Sequence, residues 1–256
     1  MKRRRWLQAS LAVACVVASA ARAQSVSDHI ALGNRDHTAL DVAGALKQFQ
    51  AALAIDANNY DALVNAAECA AELGEFDPNA KQQETLFRSA EEYARRAVAA
   101  NPNGAEGHFQ LAQALGRTAL SKGPRDRIKY GVEVRDQALA ALKIDPQHAG
   151  ALHVMGVWNA EIMRLNGFTR MIAKNFLGGK IFDEASWDDA QKYMERAVAA
   201  DSGRIAHRLD LGAVYADRKL RDQAIAQFEW IARAPVTDYN DPHYKEEAAR
   251  MLKDLR

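Results

Sequence analysis

Small and apolar residues recur three and four positions apart in five stretches of the chain. In the first stretch Ala45, Phe49 and Ala52 would share one face of a helix, and the other stretches repeat this pattern. The five stretches are residues 45–59, 90–104, 134–148, 190–204 and 224–236. Four of them end in Asp or Asn close to Pro, Asn or Ser, which stop a helix and begin a turn. The pattern predicts five amphipathic helices, four of them with matching ends.

Another helical stretch precedes each of the five, so the two would form a pair in which the preceding stretch is the first helix. This first helix carries a small residue after an apolar or small one. These positions are Leu32-Gly33, Ala66-Ala67, Leu111-Ala112, Met155-Gly156 and Leu211-Gly212. In the last unit Leu211-Gly212-x-x-Tyr215, followed by Ala224-x-x-x-Phe228, reproduces the tetratricopeptide signature L-G-x-x-Y…A-x-x-x-F. We expect the small residue to let two helices approach closely, and the bulky residue to fill the space between neighbours.

The repeat length can be counted directly. Residues 26–59 span 34 positions, the length of a tetratricopeptide repeat. The predicted units are 26–59, 60–104, 105–148, 149–204 and 205–238, with a cap at 239–256. The three middle units carry extra residues near 77–87, 122–131 and 170–186, which longer helices or extended loops would accommodate. The sequence therefore predicts an all-α protein: a tetratricopeptide-like α-α superhelix (solenoid) of about five helix pairs plus a C-terminal capping helix.

The first 23 residues have the three parts of a secretory signal peptide. A basic start precedes an apolar stretch, and the small-residue motif Ala21-Arg22-Ala23 follows. We expect cleavage between Ala23 and Gln24, and a periplasmic or secreted protein without a stable membrane span afterwards. Twin-arginine export and lipid attachment at Cys15 are open alternatives, although the apolar stretch continues beyond Cys15.

Removal of this segment would change the sign of the net charge. The whole chain has 34 Lys and Arg against 33 Asp and Glu. Residues 1–23 contain five of the bases and no acid, which leaves 29 bases against 33 acids, a net charge of −4. A mildly acidic chain argues against nucleic acid as the main partner. Cys69 would be the one remaining cysteine, and we expect it to be a small buried side chain.

The sequence contains no recognisable catalytic motif. Phosphate-loop, dinucleotide-binding, zinc-protease and paired-cysteine motifs are absent, and so is G-x-S-x-G. The seven histidines are scattered, and the best pair, His153 and Glu161, would lie two helical turns apart. The sequence therefore predicts no metal site and no cofactor. Two pairs of adjacent acids, 91–92 and 188–189, are expected at helix starts, where acids favour the helix dipole.

The second half of the chain contains five motifs that occur together. They are His153-x-x-Gly156-x-Trp158, Gly178-Gly179, Ser186-Trp187-Asp188-Asp189-Ala190, His207-Arg208-Leu209-x-Leu211-Gly212 and residues 238–252. With these motifs the chain resembles the regulator of microtubule dynamics family. The resemblance extends over roughly residues 40–255 and implies divergent tetratricopeptide-like repeats. The expected export would place the protein outside a bacterial cytosol, where no microtubule exists, so the resemblance is used for the fold and not for a role at tubulin.

A solenoid of this kind exposes a concave groove lined by the first helix of each pair. Helical phase places polar, mostly acidic and amide side chains there, with Asp61 and Asp217 near the ends. The residues predicted to bind a partner are Asn65, Glu68, Gln110, Gln113, Arg117, His153, Glu161 and Asp210. This lining favours a neutral or basic segment of a protein or peptide. The sequence predicts an exported, non-enzymatic interaction scaffold.

Two other functions stay open at the level of sequence. One is an envelope ligand-binding or enzyme-like helical protein with its site near the 170–186 insertion, which offers Lys174, Lys180, Asp183 and Glu184. The other is an accessory structural subunit of an envelope complex.

Overall fold

The computed structural model describes residues 25–120, 124–165 and 183–256, and these parts form eleven helices and no strand. The helices are α1 (Ser25–Thr38), α2 (Val42–Ile55), α3 (Tyr60–Glu75), α4 (Ala80–Ala100), α5 (Ala105–Leu120), α6 (Pro124–Ile144), α7 (Ala149–Arg164), α8 (Trp187–Ala200), α9 (Ile205–Asp217), α10 (Arg221–Arg233) and α11 (Asp241–Leu255). The all-α solenoid of five helix pairs plus a cap is thereby confirmed. The predicted signal peptide with its Ala23–Gln24 cleavage, and most of the 170–186 insertion, lie outside the described residues.

The helices within a pair approach closely because a glycine of the first helix faces a bulky side chain of the second. A Cβ atom built on Gly33 would lie 2.5 Å from Phe49, and one built on Gly156 would lie 2.6 Å from Met194. Gly212 stands in the same relation to Phe228, at 2.5 Å. The packing predicted for these small residues is confirmed in three of the five pairs.

In four of the five pairs, the second helix ends in the same hydrogen-bonded turn. Asp56, Asn101, Asp145 and Asp201 each follow the last residue of their helix and accept a hydrogen bond from the amide two residues further on. An Asx side chain that binds its own backbone in this way offers the chain an alternative to continuing the helix. The repeated Asp or Asn therefore sets the end of each unit.

The first two insertions lengthen helices. Helices α4 and α6 have 21 residues each, whereas α2 has 14. Because α4 begins as early as Ala80, Glu91 and Glu92 lie in its middle, and their predicted position at a helix start is wrong. Glu91 instead accepts a hydrogen bond from Arg95 one turn later, at 2.8 Å. The other acidic pair, 188–189, does lie in the first turn of its helix, α8.

First helices of neighbouring pairs contact one another and form the inner layer of the solenoid. The C-terminal segment then returns to this layer. The Asn240 amide donates to the backbone oxygen of Glu72 at 3.1 Å, and the Tyr244 hydroxyl donates to Glu75 at 2.7 Å. His243 stacks on Phe76, with ring centroids 4.4 Å apart. We call this set the closing contact, because it joins residues about 170 positions apart in sequence.

None of the described helices combines the length and the apolar character that a span across a bilayer requires.

Candidate functional site

The candidate site is the inner layer formed by the first helices. Of the eight residues predicted to bind a partner, five have an intramolecular polar partner. Those five are Gln110, Arg117, His153, Glu161 and Asp210. Gln110 is 2% exposed and donates to Glu106 at 3.0 Å. Its side chain is therefore committed to the protein interior in this conformation.

Helices α7 and α9 are joined across the inner layer by charged groups. The Nε2 atom of His153 lies 2.7 Å from a carboxylate oxygen of Asp210, and the guanidinium of Arg164 donates to Asp217 at 2.6 Å. Arg164 also binds Glu161 on its own helix. Burial by itself would raise the pKa of Asp210, but the hydrogen bond and charge of His153, together with the charges of Arg117 and Arg164, outweigh it, so the pKa lies below its usual value. His153 and Glu161, the best histidine–acid pair in the sequence, therefore do not pair with each other: His153 contacts Asp210, and Glu161 contacts Arg164.

A second histidine lies beside this bridge. The rings of His153 and His207 have centroids 4.7 Å apart. Burial lowers the pKa of His207 to about 2, and the charges of His153 and Arg204 add to the shift. His207 is therefore neutral at every physiological pH, and it fills the inner layer without carrying charge.

The middle of the inner layer holds an ion pair that the closing contact completes. Glu75 of α3 pairs with Arg117 of α5. The same carboxylate accepts hydrogen bonds from Tyr244 at 2.7 Å and from Asn240 at 3.3 Å. Burial raises the pKa of Tyr244 well above its usual value, so the hydroxyl remains a donor. Arg117 is therefore oriented by α3 and by the C-terminal segment together.

A third group of charged residues connects the N-terminal end of the inner layer to the C-terminal segment. It consists of His37, Glu68, Glu72, Arg204 and Asp238, and we call it the inner cluster. His37 donates to Glu72 at 2.8 Å, and Arg204 pairs with Asp238 at 2.8 Å. Arg204 also approaches Glu72, with 3.9 Å between the nearest nitrogen and oxygen. The cluster joins α1, α3, the start of α9 and the segment before α11.

The carboxylates of the inner cluster are poorly solvated. Burial raises the pKa of Glu68 to about 7, and the charge of Glu72 adds to the shift while His37 opposes it. Burial also raises the pKa of Glu72, although the hydrogen bond from His37 offsets part of the effect. That hydrogen bond in turn raises the pKa of His37 against the effect of burial. Each of these three groups therefore shifts the pKa of at least one of the other two.

Sequence reasoning identified Glu68 but missed its neighbours. Glu68 and Glu72 are four residues apart, so their shared helix face was readable from the spacing. His37 lies 31 residues before Glu68, and Arg204 and Asp238 are more than 130 residues after it. No local pattern brings these residues together; only the path of the solenoid does.

Two predicted residues remain half-buried, without any polar side-chain partner in the described structure. Asn65 precedes Glu68 by one turn on α3, and Gln113 precedes Arg117 by one turn on α5. Helical phase therefore places both amides on the inner faces of neighbouring first helices. Amide side chains both donate and accept hydrogen bonds, as does a peptide backbone.

Comparison with known families agrees with the architecture. The family model described as "Regulator of microtubule dynamics protein 1-3" matches residues 26–256. The bovine "Regulator of microtubule dynamics protein 1" is 25% identical over 177 residues, which cover 68% of this chain and 54% of that protein. The human protein of the same name is 26% identical over 176 residues, which cover 67% and 54%. The chain thus spans about half the length of the curated relatives it matches.

Solved structures share the fold at low sequence identity. A thermophilic TPR protein of Thermus thermophilus superposes with a TM-score of 0.64 at 19% identity, over 88% of this chain and 99% of the other. The pilF protein of Pseudomonas aeruginosa gives 0.53 at 14% identity, over 92% and 93%. At these identities the likeness shows the tetratricopeptide-like fold alone.

Proposed function

Since the chain belongs to the regulator of microtubule dynamics family and folds as a tetratricopeptide-like solenoid, we propose that it is an exported, non-enzymatic scaffold that binds a segment of another protein on its concave face. The occupant would be a neutral or basic peptide segment. The role in microtubule dynamics that the names of the relatives state belongs to those proteins, and we do not extend it to this chain.

The pair of half-buried amides Asn65 and Gln113 carries this proposal. Neither amide is fully buried, whereas small apolar residues such as Ala66 of α3 and Ala112 of α5 form the buried core beside them. The two amides lie on the inner faces of α3 and α5, which are neighbours in the solenoid. An extended peptide along this face would find donors and acceptors for its backbone.

Acidic groups beside the amides support a neutral or basic guest. Glu68 lies one turn from Asn65, and the chain after residue 23 has a net charge of −4. Charges of this kind mainly steer the encounter and set the orientation of a partner, and salt screens them. The closing contact occupies the last turn of α3, at Glu72 and Glu75, so the proposed guest binds along the earlier turns of α3 and α5 that carry Asn65 and Gln113.

The contacts of the charged residues support the non-enzymatic part of the proposal. The charged pairs of the inner layer link one helix to the next, and no nucleophile is paired with a base in the motifs that the sequence offers. Export is supported by the basic, apolar and small-residue parts of residues 1–23. N-terminal sequencing of the protein recovered from the cell envelope tests export: a chain that starts at Gln24 supports it, and one that starts at Met1 opposes it.

The binding test replaces the two amides together, as Asn65→Ala with Gln113→Ala. The protein is cross-linked in cells, its partner is identified by mass spectrometry, and the purified partner is titrated by calorimetry. We expect the double variant to bind about tenfold or more weakly, since each lost backbone contact contributes about 0.5–1.5 kcal/mol. Thermal unfolding should stay close to that of the parent.

A matched control replaces two exposed amides of second helices, Gln82 and Gln223, with alanine. This control should bind the partner as the parent does. Equal affinity of the parent and of the Asn65/Gln113 variant would show that the partner does not use the concave face.

A further inference from the structure

We propose that His37, Glu68 and Glu72 of the inner cluster form a binding site for one divalent transition-metal ion, with Zn²⁺ as the first candidate. This site shares Glu68 with the proposed peptide-binding face, but its test measures metal binding without any peptide partner. It assigns a metal to a chain whose sequence predicted none.

The three side chains converge from two helices. His37 lies in the last turn of α1, and Glu68 and Glu72 lie one turn apart on α3. One donor atom of each, a ring nitrogen and two carboxylate oxygens, lies within 4.8 Å of the other two. Neighbouring ligands in a tetrahedral zinc site are about 3.3 Å apart, because zinc bonds to nitrogen and oxygen are about 2.0 Å long. Small side-chain rotations would therefore bring the donors to a common ion.

The three residues also stand out from the rest of the described chain. Within residues 25–120, 124–165 and 183–256, this is the one group of three or more His, Cys, Asp or Glu side chains that meets this distance criterion. The pair His148 and Glu106 has a similar geometry, at 3.0 Å, but it lacks a third ligand. The convergence is thus specific to this place in the fold.

A buried oxygen without a donor points to a missing positive ligand. Glu72 is 7% exposed, and its Oε1 atom is buried without a hydrogen-bond partner. Burial of a carboxylate oxygen in this state costs about 1–3 kcal/mol or more, so such atoms normally have a partner. Arg204 lies 3.9 Å from this oxygen, beyond hydrogen-bond distance, and it already pairs with Asp238. A cation at the site would satisfy the orphaned oxygen.

The inner cluster has an excess of negative charge that a divalent ion would balance. The carboxylates of Glu68, Glu72 and Asp238 oppose the one guanidinium of Arg204, so two negative charges remain when the carboxylates are ionised and His37 is neutral. A dication would neutralise them inside a poorly solvated region, where unpaired charge is costly.

The donor set indicates the class of metal. An imidazole nitrogen suits Zn²⁺, Cu²⁺, Fe²⁺ and Ni²⁺, whereas Mg²⁺ and Ca²⁺ prefer oxygen ligands alone. One nitrogen with two carboxylate oxygens therefore favours a transition-metal ion over Mg²⁺ or Ca²⁺. Bound there, the ion would tie α1 to α3 beside the Arg204–Asp238 pair and so stabilise the N-terminal end of the inner layer.

The test measures metal binding directly on the full chain, purified without a polyhistidine tag and stripped with a chelator. Zn²⁺ is titrated by calorimetry, and the metal retained after gel filtration is counted by elemental mass spectrometry. We expect one Zn²⁺ per chain, a higher thermal midpoint with the ion bound, and no displacement by excess Mg²⁺.

Two variants and one control locate the site. His37→Ala and Glu68→Gln should each weaken Zn²⁺ binding by about tenfold or more, because each removes one ligand. His148→Asn removes a half-buried histidine with a single acidic partner, and it should bind as the parent does. Circular dichroism checks the fold of each variant, and Glu68→Gln alone decides if His37→Ala does not fold.

Three results would overturn the proposal. They are the absence of stoichiometric Zn²⁺ in the parent, unchanged affinity in Glu68→Gln, and an equal loss in His148→Asn.

Discussion

At the scale of single residues, the glycines that face bulky side chains decide how closely the paired helices approach. Gly212→Ala would place a Cβ atom 2.5 Å from the ring of Phe228, which is 1% exposed. We expect the free energy of unfolding to fall by about 1–3 kcal/mol, through overpacking of α9 against α10. Urea unfolding followed by circular dichroism measures this change.

Gly116→Ala is the matched control for that substitution. Gly116 is also in the interior of a first helix, α5, but a Cβ atom there would meet nothing within 4 Å. This variant should gain about 0.5–1 kcal/mol, because alanine is the better helix former. A loss of similar size in both variants would mean that helix backbone effects, and not the contact with Phe228, set the cost.

His207 makes stability depend on pH. Its pKa is lowered to about 2 in the folded state, whereas an unfolded histidine has a pKa of about 6.5. Below pH 6.5 the unfolded chain takes up a proton that the folded chain does not, so stability is lost as the pH falls. Between pH 7.5 and pH 5.5 this one group should cost about 1.4 kcal/mol.

The test compares the parent with His207→Gln, which removes the titrating group. Urea unfolding at the two pH values should show the smaller acid loss in the variant. Because other titrating groups are common to both proteins, the difference between the two pH profiles isolates His207. Parallel profiles would refute the assignment of a neutral buried ring.

At the scale of elements, the helix ends are set by capping side chains. Ser186 precedes α8, and its hydroxyl oxygen accepts a hydrogen bond from the amide of Asp189 at 3.0 Å. We expect Ser186→Ala to destabilise the protein by about 0.5–2 kcal/mol, because the first turn of α8 loses this partner. Thermal unfolding of the purified variant checks it.

Ser89→Ala is the control, since Ser89 lies inside α4 and donates to the oxygen of Thr85 four residues earlier. A serine that bonds back to its own helix contributes little, so the alanine variant should be neutral or more stable by up to about 0.5 kcal/mol. The opposite signs expected for two Ser→Ala changes distinguish a capping role from general loss of a hydroxyl.

At the scale of the whole molecule, the closing contact joins the C-terminal segment to α3 across the inner layer. Tyr244→Phe removes the hydrogen bond to Glu75 and should lower the free energy of unfolding by about 0.5–1.5 kcal/mol. We also expect faster amide hydrogen exchange in residues 234–244, since one of the bonds that hold this segment to α3 is lost.

Tyr239→Phe is the control for the closing contact. Tyr239 is 41% exposed and lies in the same segment, so its substitution should change stability by less than about 0.5 kcal/mol. Exchange in residues 234–244 that rises equally in both variants would show that the hydroxyl of Tyr244 does not hold the segment.

The sequence by itself determined the helices, their pairing and their ends. Residues three and four apart share a helix face, Gly212 and Phe228 mark a close contact within one unit, and an Asp or Asn stops the chain locally. Each of these effects acts over a few residues or between adjacent helices, so it leaves a repeated pattern. Because such patterns are local, the predicted position of Glu91 at a helix start was wrong. The helix begins earlier, inside the 77–87 insertion, and no repeated pattern marks that beginning.

The tertiary structure alone decided which polar residues meet across the inner layer. Glu75 contacts Tyr244 because small rotations between successive helix pairs add up along the solenoid. His37 meets Glu72 because α1 and α3 are the first helices of neighbouring pairs. Sequence periodicity fixes each pair but not the accumulated rotation, so it identified Glu68 and Arg117 as inner residues without their partners. The inner cluster and the closing contact arise from that rotation, which returns the C-terminal segment to α3.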